Sequence, residues 1–201
     1  MNSYFDLYKI HWITDNIYLS GIFPMDEDPN IIKRMNIKYI LSCVPRQHAM
    51  DVHNKIIIDN PDIIILYLPY NDNIGQNLWQ KNLNKIEMIK YGSKQNYNLK
   101  NQFMLYHNKP MIEIGYHFIN NSDPLTGNVL VHCMAGVSRS VSVVIYYLMK
   151  KYFENFDKTF AFVKSKRPIA NPNDSFKGQL QKYETKRDRY TEADANQYIY
   201  Q

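Results

Sequence analysis

The chain has 201 residues, 45% of them hydrophobic and 14% aromatic, and a formal net charge of +5. These values exclude a disordered chain and suit one domain with its own core, while the mild basicity fits an ordinary surface as well as an anionic ligand such as phosphate or nucleic acid. No apolar stretch reaches the length of a membrane span, and two cysteines make no disulfide framework. We expect no secretory signal, because the first residues lack a basic segment followed by an apolar one.

Short apolar runs alternate with helical segments, which predicts an α/β fold with a central, mostly parallel, twisted sheet of about five strands flanked by helices. In chain order, the predicted elements are a strand at 17–21, a helix at 30–35, strands at 37–44 and 63–68, a helix at 111–119, a strand at 129–131, and helices at 140–153, 156–166 and 175–189. No linker or repeat divides the chain, so we expect one domain over residues 1–201, with a mobile C-terminal tail from about residue 188.

Residues 79–108 interrupt this alternation with a polar stretch rich in Asn and Lys. At its start, residues 77–89 have a partly helical periodicity. The rest follows no period, so we interpret it as an excursion from the fold.

One of the two cysteines follows the strand at 129–131 and precedes the apolar helix at 140–153, in the loop C-M-A-G-V-S-R. A loop that leads into a helix N-terminus directs backbone N–H groups into one concavity, where the helix dipole adds positive potential. Gly136 allows a sharp backbone bend, and the planar guanidinium of Arg139 can bind two phosphate oxygens. The loop therefore predicts a cradle for a tetrahedral dianion.

The same positive potential acts on Cys133, because a thiolate beside an arginine at a helix N-terminus is stabilised and nucleophilic. In-line attack on phosphorus would give a phosphocysteine intermediate. No metal or other cofactor is needed, since the amides and Arg139 neutralise the phosphoryl oxygens. The alternative is a buried structural cysteine with a surface arginine; the strand, the glycine and the helix around the pair favour the nucleophile.

The loop resembles the signature of the cysteine-dependent phosphatases, specifically their dual-specificity branch. The pattern H-C-x-x-G-x-x-R-S is matched from His132 to Ser140. Three other segments are similar to family elements: W-I-T-D-N-I-Y-L-S-G to the first strand, M-N-I-K-Y-I-L-S-C to the second strand, and R-P-I-A-N-P-N-D-S-F-K-G-Q-L to the stretch after the catalytic helix. The resemblance covers about residues 11–185 and implies one catalytic domain of the protein phosphatase type.

The resemblance also implies residue roles. Cys133 is the nucleophile, Arg139 binds phosphate, and Ser140 donates a hydrogen bond to the sulfur and eases its departure in the second step. His132 orders the loop and helps to keep the thiol ionised, although it also fits a neutral core histidine. Asn173 helps to hold the loop in shape. The phosphate cradle consists of the backbone amides of Met134, Ala135, Gly136, Val137, Ser138 and Arg139.

A general acid must protonate the leaving oxygen, because an alkoxide or phenoxide departs poorly. In the family this acid follows a strand that ends in a proline-containing turn, and the segment L-Y-L-P-Y-N-D-N-I-G places it at Asp72. Asp59 and Asp62 precede the strand and fit less well. Aspartate is also a common turn former, so an ordinary turn residue is the alternative for Asp72.

The spacing of acid and nucleophile departs from the family pattern. Asp72 and Cys133 are 61 residues apart, more than is usual in the family. We attribute the excess to an insertion at about 80–109. It could be a helix-loop embellishment beside the site, a partner-binding element or a dimer contact.

Cys43 ends the predicted strand at 37–44 and fits a buried strand cysteine. Some related phosphatases carry a cysteine near the equivalent strand end that forms a reversible disulfide with the nucleophile. A disulfide between Cys43 and Cys133 is therefore a hypothesis that the resemblance implies.

None of the variable cradle positions is basic, which disfavours phosphoinositides, and no separate phosphotyrosine-recognition loop is evident. Phosphoproteins carrying phosphotyrosine and phosphoserine or phosphothreonine are therefore the favoured substrates. Two alternatives stay open: an RNA 5′-triphosphatase or phosphatase on the same scaffold, with nucleic acid as the less favoured partner, and a phosphate-binding interaction module without turnover. We expect an intracellular protein, cytoplasmic or nuclear, that acts without a membrane.

Overall fold

The computed structural model describes residues 3–81, 87–90 and 108–199, and it describes side chains at 4–81 and 108–188. Its six strands are β1 (His11–Thr14), β2 (Ile17–Ser20), β3 (Ile37–Ser42), β4 (Ile64–Tyr67), β5 (Glu87–Lys90) and β6 (Asn128–His132). They form one sheet in the order β1-β2-β6-β3-β4-β5. The four inner strands pair in parallel and the two edge strands pair antiparallel, which confirms the predicted α/β fold and mostly parallel sheet.

The centre of the sheet is apolar on both faces. Val129, Leu130 and Val131 of β6 are all fully buried. Because successive side chains of a strand point to opposite faces, both faces of β6 must be covered by other elements. The polar residue that ends this strand, His132, is fully buried as well.

Eight α-helices lie within the described residues: α1 (Ser3–Asp6), α2 (Phe23–Glu27), α3 (Ile31–Arg34), α4 (Met50–Asp59), α5 (Met111–Asn120), α6 (Arg139–Tyr152), α7 (Phe156–Lys166) and α8 (Asp174–Ile199). Helix α6 is central, since every residue from Ser140 to Met149 is buried, and it packs against α5, α7, α8 and β6. Its apolar sequence is therefore a core sequence. None of the described helices is both long and apolar enough to cross a bilayer.

Side-chain caps fix where the two C-terminal helices begin. The side chain of Asn155 accepts from Lys158 N at 2.8 Å at the start of α7. Asn173 accepts in the same way from Phe176 N at 2.9 Å at the start of α8. Each cap satisfies a backbone donor that has no partner inside its helix.

The sheet has six strands where about five were expected, and β5 is the additional one. β5 pairs with the outer edge of β4, with Ile65 opposite Ile89 and Leu66 opposite Met88. The helical periodicity assigned to 77–89 is therefore wrong where the structure describes that segment, because residues 77–81 are non-helical and residues 87–89 are extended. Pairing with β5 gives hydrogen-bond partners to the backbone groups on the outer edge of β4. This gain is larger than the weak helical preference that the spacing of apolar residues in 77–89 indicated. Most of the predicted insertion at 80–109 lies outside the described residues.

Other boundaries also differ from the predictions. The predicted strand at 17–21 is the second strand of a hairpin, in which β1 and β2 are joined at Asp15 with a φ of 46°. Helix α4 was not predicted, although Val52 and Ile56 are spaced for one buried helical face. Helix α8 continues to Ile199, ten residues beyond the predicted end at 189. The mobility of the tail from residue 188 stays a prediction.

Candidate active site

The cysteine loop lies at the C-terminal edge of the parallel strands, where open α/β sheets bind their ligands. It packs closely on the chain that leaves β2. Gly136 has a φ of 67°, and a Cβ there would lie 2.3 Å from the carbonyl carbon of Ser20. A Cβ on Gly21 would lie 2.8 Å from the carbonyl oxygen of Met134. Position 136 requires glycine because of its positive φ and because a Cβ would clash there, whereas position 21 requires glycine only because a Cβ would clash.

Four consecutive carbonyl groups of the loop, from Met134 to Val137, point away from its centre. Each accepts a hydrogen bond from outside the loop, with donor–acceptor distances of 2.7–3.0 Å. The pairs are Met134 O with Ile22 N, Ala135 O with Arg167 Nη2, Gly136 O with Arg167 Nε, and Val137 O with Asn171 N. Because each peptide unit directs its C=O and N–H to opposite sides, the amides of this run are left facing inward.

Arg167 is a buried residue beside the loop that the sequence analysis did not single out. It is fully buried, and its guanidinium donates to two carbonyls of the loop, to Lys9 O at 3.1 Å and to His11 Nδ1 at 3.0 Å. Burial lowers its pKa to about 10, so it remains charged at neutral pH. The segment R-P-I-A-N-P is similar to a family element. Its local sequence does not indicate that Arg167 binds the carbonyl of Gly136, because that residue lies 31 positions earlier in the chain.

The sulfur of Cys133 is the acceptor of two donors inside the cradle. Gly136 N donates to it at 3.2 Å, and the hydroxyl of Ser140 donates to it at 3.2 Å. Both donors point at the sulfur, which lies in the loop that leads into the N-terminus of α6. The hydroxyl of Ser140 thus contacts the sulfur, and its part in the departure of the sulfur stays a prediction.

His132 begins a buried chain of hydrogen bonds. Its Nδ1 lies 3.1 Å from Cys133 O, its Nε2 lies 3.0 Å from His53 Nε2, and His53 Nδ1 lies 2.7 Å from Tyr67 Oη. Because the carbonyl can only accept, Nδ1 of His132 carries the proton. His53 then donates to His132, and Tyr67 donates to His53.

Desolvation keeps both rings of this chain neutral. It lowers the pKa of His132 to about 4 and holds the pKa of His53 well below its ordinary value. At neutral pH, His132 therefore contributes an oriented hydrogen bond and no positive charge beside the thiol. His53 lies on the unpredicted helix α4, which is why the sequence analysis missed it.

Asp72 and Arg139 converge on the cradle from different segments. Nε of Arg139 lies 3.7 Å from Asp72 Oδ2, and Nη1 donates to Tyr70 O at 3.4 Å. Nε is buried without a hydrogen-bond partner among the described residues, so it is a donor that a phosphoryl oxygen would satisfy. Asp59 and Asp62, the less favoured acids, lie on the other side of β4 along the chain, before that strand begins.

The other carboxylate oxygen of Asp72 is held by two donors. Oδ1 accepts from Ser138 Oγ at 2.7 Å and from Asn173 Nδ2 at 2.9 Å. Asn173 N also donates to Ser138 Oγ at 3.1 Å. Ser138 was predicted only for its backbone amide, and its hydroxyl proves to connect the loop with the acid. Asn173 contacts both the loop and the acid, so it does more than cap α8.

Cys43 lies beside Cys133 across the sheet. Ser42 of β3 is in register with His132 of β6, and Cys43 N donates to His132 O at 2.7 Å. Cys43 and Cys133 directly follow these two paired residues, so they lie side by side. Both cysteines are free thiols in this structure. Burial raises the pKa of Cys43 well above its ordinary value, so its thiol is protonated at neutral pH.

A cysteine sulfur, a guanidinium and a carboxylic acid thus meet at one amide cradle, and this arrangement on an α/β sheet defines the class of cysteine-dependent protein phosphatases. Within that class, the family model "Dual specificity phosphatase, catalytic domain" matches residues 17–186. The chain belongs to this family, as the resemblance of its loop indicated.

Two relatives show how far the similarity extends. Protein R622 of Acanthamoeba polyphaga mimivirus, whose name assigns it provisionally to the tyrosine-protein phosphatases, is 55% identical over 196 residues, which cover 96% of this chain and 92% of R622. Human dual specificity protein phosphatase 16 is 44% identical over 77 residues, which are 38% of this chain and 12% of the human protein. The chain therefore matches R622 over nearly its whole length and the human protein over a small part.

Two solved structures share the fold. The crystal structure of a single-residue variant of human DUSP28 gives a TM-score of 0.63 at 21% identity, covering 90% of this chain and 97% of that chain. The crystal structure of the human tyrosine phosphatase-like serine/threonine/tyrosine-interacting protein gives 0.60 at 23% identity, covering 88% and 95%. At these identities the likeness establishes the fold alone.

Proposed function

We propose that this protein hydrolyses phosphotyrosine and phosphoserine or phosphothreonine in proteins through a phosphocysteine intermediate. The observation that carries the proposal is the sulfur of Cys133, which two donors hold at the floor of a loop whose amides face inward. Such a cradle binds the phosphoryl oxygens and aligns phosphorus with the nucleophile.

In the first step, the Cys133 thiolate attacks phosphorus, the S–P bond forms, and the bond from phosphorus to the substrate oxygen breaks. Asp72 protonates the departing oxygen. Because Oδ1 of Asp72 already accepts from Ser138 and Asn173, the proton is carried on Oδ2, the oxygen nearer to Arg139. A bound phosphoryl dianion engages Arg139, whose buried Nε has no hydrogen-bond partner among the described residues.

In the second step, water attacks phosphorus while Asp72, now ionised, accepts its proton. The S–P bond breaks and the electron pair returns to the sulfur of Cys133. Ser140 Oγ, 3.2 Å from that sulfur, donates to the thiolate as it leaves. The products are inorganic phosphate and the free thiolate, so the cycle closes.

Turnover of a generic aryl phosphate in the presence of a metal chelator tests this mechanism. We expect release of phosphate by the wild type and none by Cys133→Ser. The fold itself does not decide this point, because it also occurs in a protein named phosphatase-like and interacting. A phosphate-binding module would bind an oxyanion such as tungstate and release no phosphate.

A substrate panel then tests the specificity. We expect kcat/KM for phosphotyrosine, phosphoserine and phosphothreonine peptides to exceed kcat/KM for RNA with a 5′-triphosphate end. A preference for the RNA would reassign the protein to the RNA phosphatases on the same scaffold. Activity on phosphotyrosine alone would remove the dual specificity and leave the chemistry in place.

A further inference from the structure

A groove of about 460 Å³ opens next to the acid loop, between residues 74–79 and helix α8. One wall is the stretch that follows Asp72. The other wall is a single stripe of α8, because residues at spacings of three and four share one helix face. The stripe consists of Gln179, Lys182, Tyr183 and Lys186.

Hydrogen bonds between its walls give the groove a fixed shape. Gln179 Nε2 donates to Gln76 O at 2.9 Å, and Leu78 N donates to Gln179 Oε1 at 2.8 Å. The ring of Trp79 stacks on Tyr183 with centroids 5.8 Å apart, and it also packs edge-on against the buried Tyr146. The aromatic part of the groove is thus anchored to the core.

The groove has two cations and no acid. Among its described lining residues, only Lys182 and Lys186 are charged, and neither has an acidic side chain within 4 Å in the described part of the chain. The acids nearest to them on α8 are engaged elsewhere: Glu184 accepts from Phe156 N at 3.0 Å, and Asp188 pairs with Arg187 at 2.9 Å. The groove therefore complements negative charge.

The groove is also continuous with the catalytic cleft. Ser175 Oγ donates to Ile74 O at 2.9 Å, two residues after the contact of Asn173 with Asp72. Ile74 lies at this junction and is 85% exposed, so its side chain is accessible to a bound peptide. With a rise of 1.5 Å per residue, Lys182 and Lys186 lie about 12 and 18 Å along α8 from its start.

On the basis of the proposed function, we propose that this groove binds an acidic side chain of the phosphoprotein substrate, an Asp or Glu about four residues from the phosphorylated residue. An extended peptide advances about 3.3 Å per residue, so four or five residues span the distance from the cleft to the two lysines. The carboxylate pairs with Lys182 and Lys186, and an apolar residue between it and the phosphorylated one packs on Ile74.

Matched phosphotyrosine peptides test the proposal. One carries Glu four residues before the phosphotyrosine, one carries Glu four residues after it, and one carries Ala at both positions. We expect one of the two acidic peptides to have a kcat/KM about 3- to 10-fold above the Ala peptide at low salt, as two exposed ion pairs would give. The double variant Lys182→Gln/Lys186→Gln should lose this preference and retain wild-type turnover of an aryl phosphate, which is too small to reach the groove.

Lys158→Gln/Lys164→Gln, on α7, is the matched control because it removes the same net charge outside the groove. It should retain the preference. Equal kcat/KM for all three peptides in the wild type would overturn the proposal, while aryl phosphate turnover that depends on Cys133 would still support the proposed function. A preference for RNA that disappears in the Lys182→Gln/Lys186→Gln variant would overturn it as well and reassign the groove to nucleic acid.

Discussion

At the scale of single residues, the two oxygens of Asp72 have different surroundings. Oδ1 is held by Ser138 and Asn173, and Oδ2 is the oxygen closer to the guanidinium of Arg139. Asp72→Asn preserves an acceptor for both donors and removes the acidic proton. We expect it to lower kcat on an alkyl phosphate by about 10²–10⁴-fold, the range for lost general acid catalysis, and much less on an aryl phosphate with a good leaving group.

Steady-state kinetics over a series of leaving groups checks this expectation. Asp62→Asn is the matched control, because Asp62 is an exposed acid that precedes the same strand. It should behave as wild type throughout. An equal loss on good and poor leaving groups would show that Asp72 acts in some other way than as the acid.

The neighbouring thiols of Cys43 and Cys133 carry a second prediction at this scale. Adjacent strands are about 4.8 Å apart, within the Cα separation that a disulfide spans. Peroxide would oxidise the Cys133 thiolate to a sulfenic acid, and the Cys43 thiol would attack that sulfur, form the S–S bond and release water. We expect peroxide-treated protein to lose two hydrogens in mass and to regain activity with dithiothreitol.

The variant Cys43→Ser is the test of protection. In this variant, peroxide should oxidise Cys133 beyond the sulfenic acid to the sulfinic acid, because no second thiol traps the first product. The variant should therefore recover less activity with dithiothreitol than the wild type. If no bridge forms, and Cys43→Ser recovers as well as wild type, the two thiols are simply neighbours in the core.

At the scale of elements, the cradle depends on an arginine that follows α7. Arg167 holds two outward carbonyls of the loop and also the backbone at Lys9. We expect Arg167→Lys to lower kcat/KM on an aryl phosphate at least 10-fold and to weaken binding of tungstate, because a single ammonium cannot reproduce the planar fork. Isothermal titration with tungstate separates this loss of loop shape from a mere loss of stability.

Arg34→Lys provides the comparison, since Arg34 pairs with Asp28 on the surface at 2.6 Å. Its effect on kcat/KM and on tungstate affinity should be negligible. If Arg167→Lys binds tungstate as wild type does and loses only thermal stability, Arg167 serves the fold and leaves the cradle unaffected.

At the scale of the whole molecule, the two buried histidines predict how stability depends on pH. Their pKa values are lowered in the folded protein, whereas an unfolded histidine titrates near pH 6.5. Between that pH and pH 4 the unfolded chain binds more protons, so the free energy of unfolding falls as the pH falls. His132 alone should lower it by about 2 kcal/mol between pH 7 and pH 5.

Urea unfolding at pH 7, 6 and 5 measures this dependence. His53→Gln should reduce the slope because one titrating group is gone, and His48→Gln, at an exposed histidine, should leave it unchanged. Stability that stays constant from pH 7 to pH 5 would contradict the neutral assignment of the pair.

The sequence alone determined the parts of this protein that depend on neighbours along the chain. Strand β6, the loop with its glycine, and helix α6 follow from apolar runs and from a bend that only Gly136 accommodates, so the local sequence was enough to place Cys133, Arg139 and Ser140 together. The assignment of the general acid to Asp72 needed the family resemblance as well, and it stays a prediction.

The tertiary structure decided what depends on segments far apart in sequence. Four such features join distant segments. They are the hydrogen bonds from Arg167 to the loop carbonyls, the contact of His53 with His132, the pairing of β5 with β4 and the groove beside α8. A short-range period contains no information on such pairings, because they are selected by the packing of the whole core and by the need of each buried polar group for a partner.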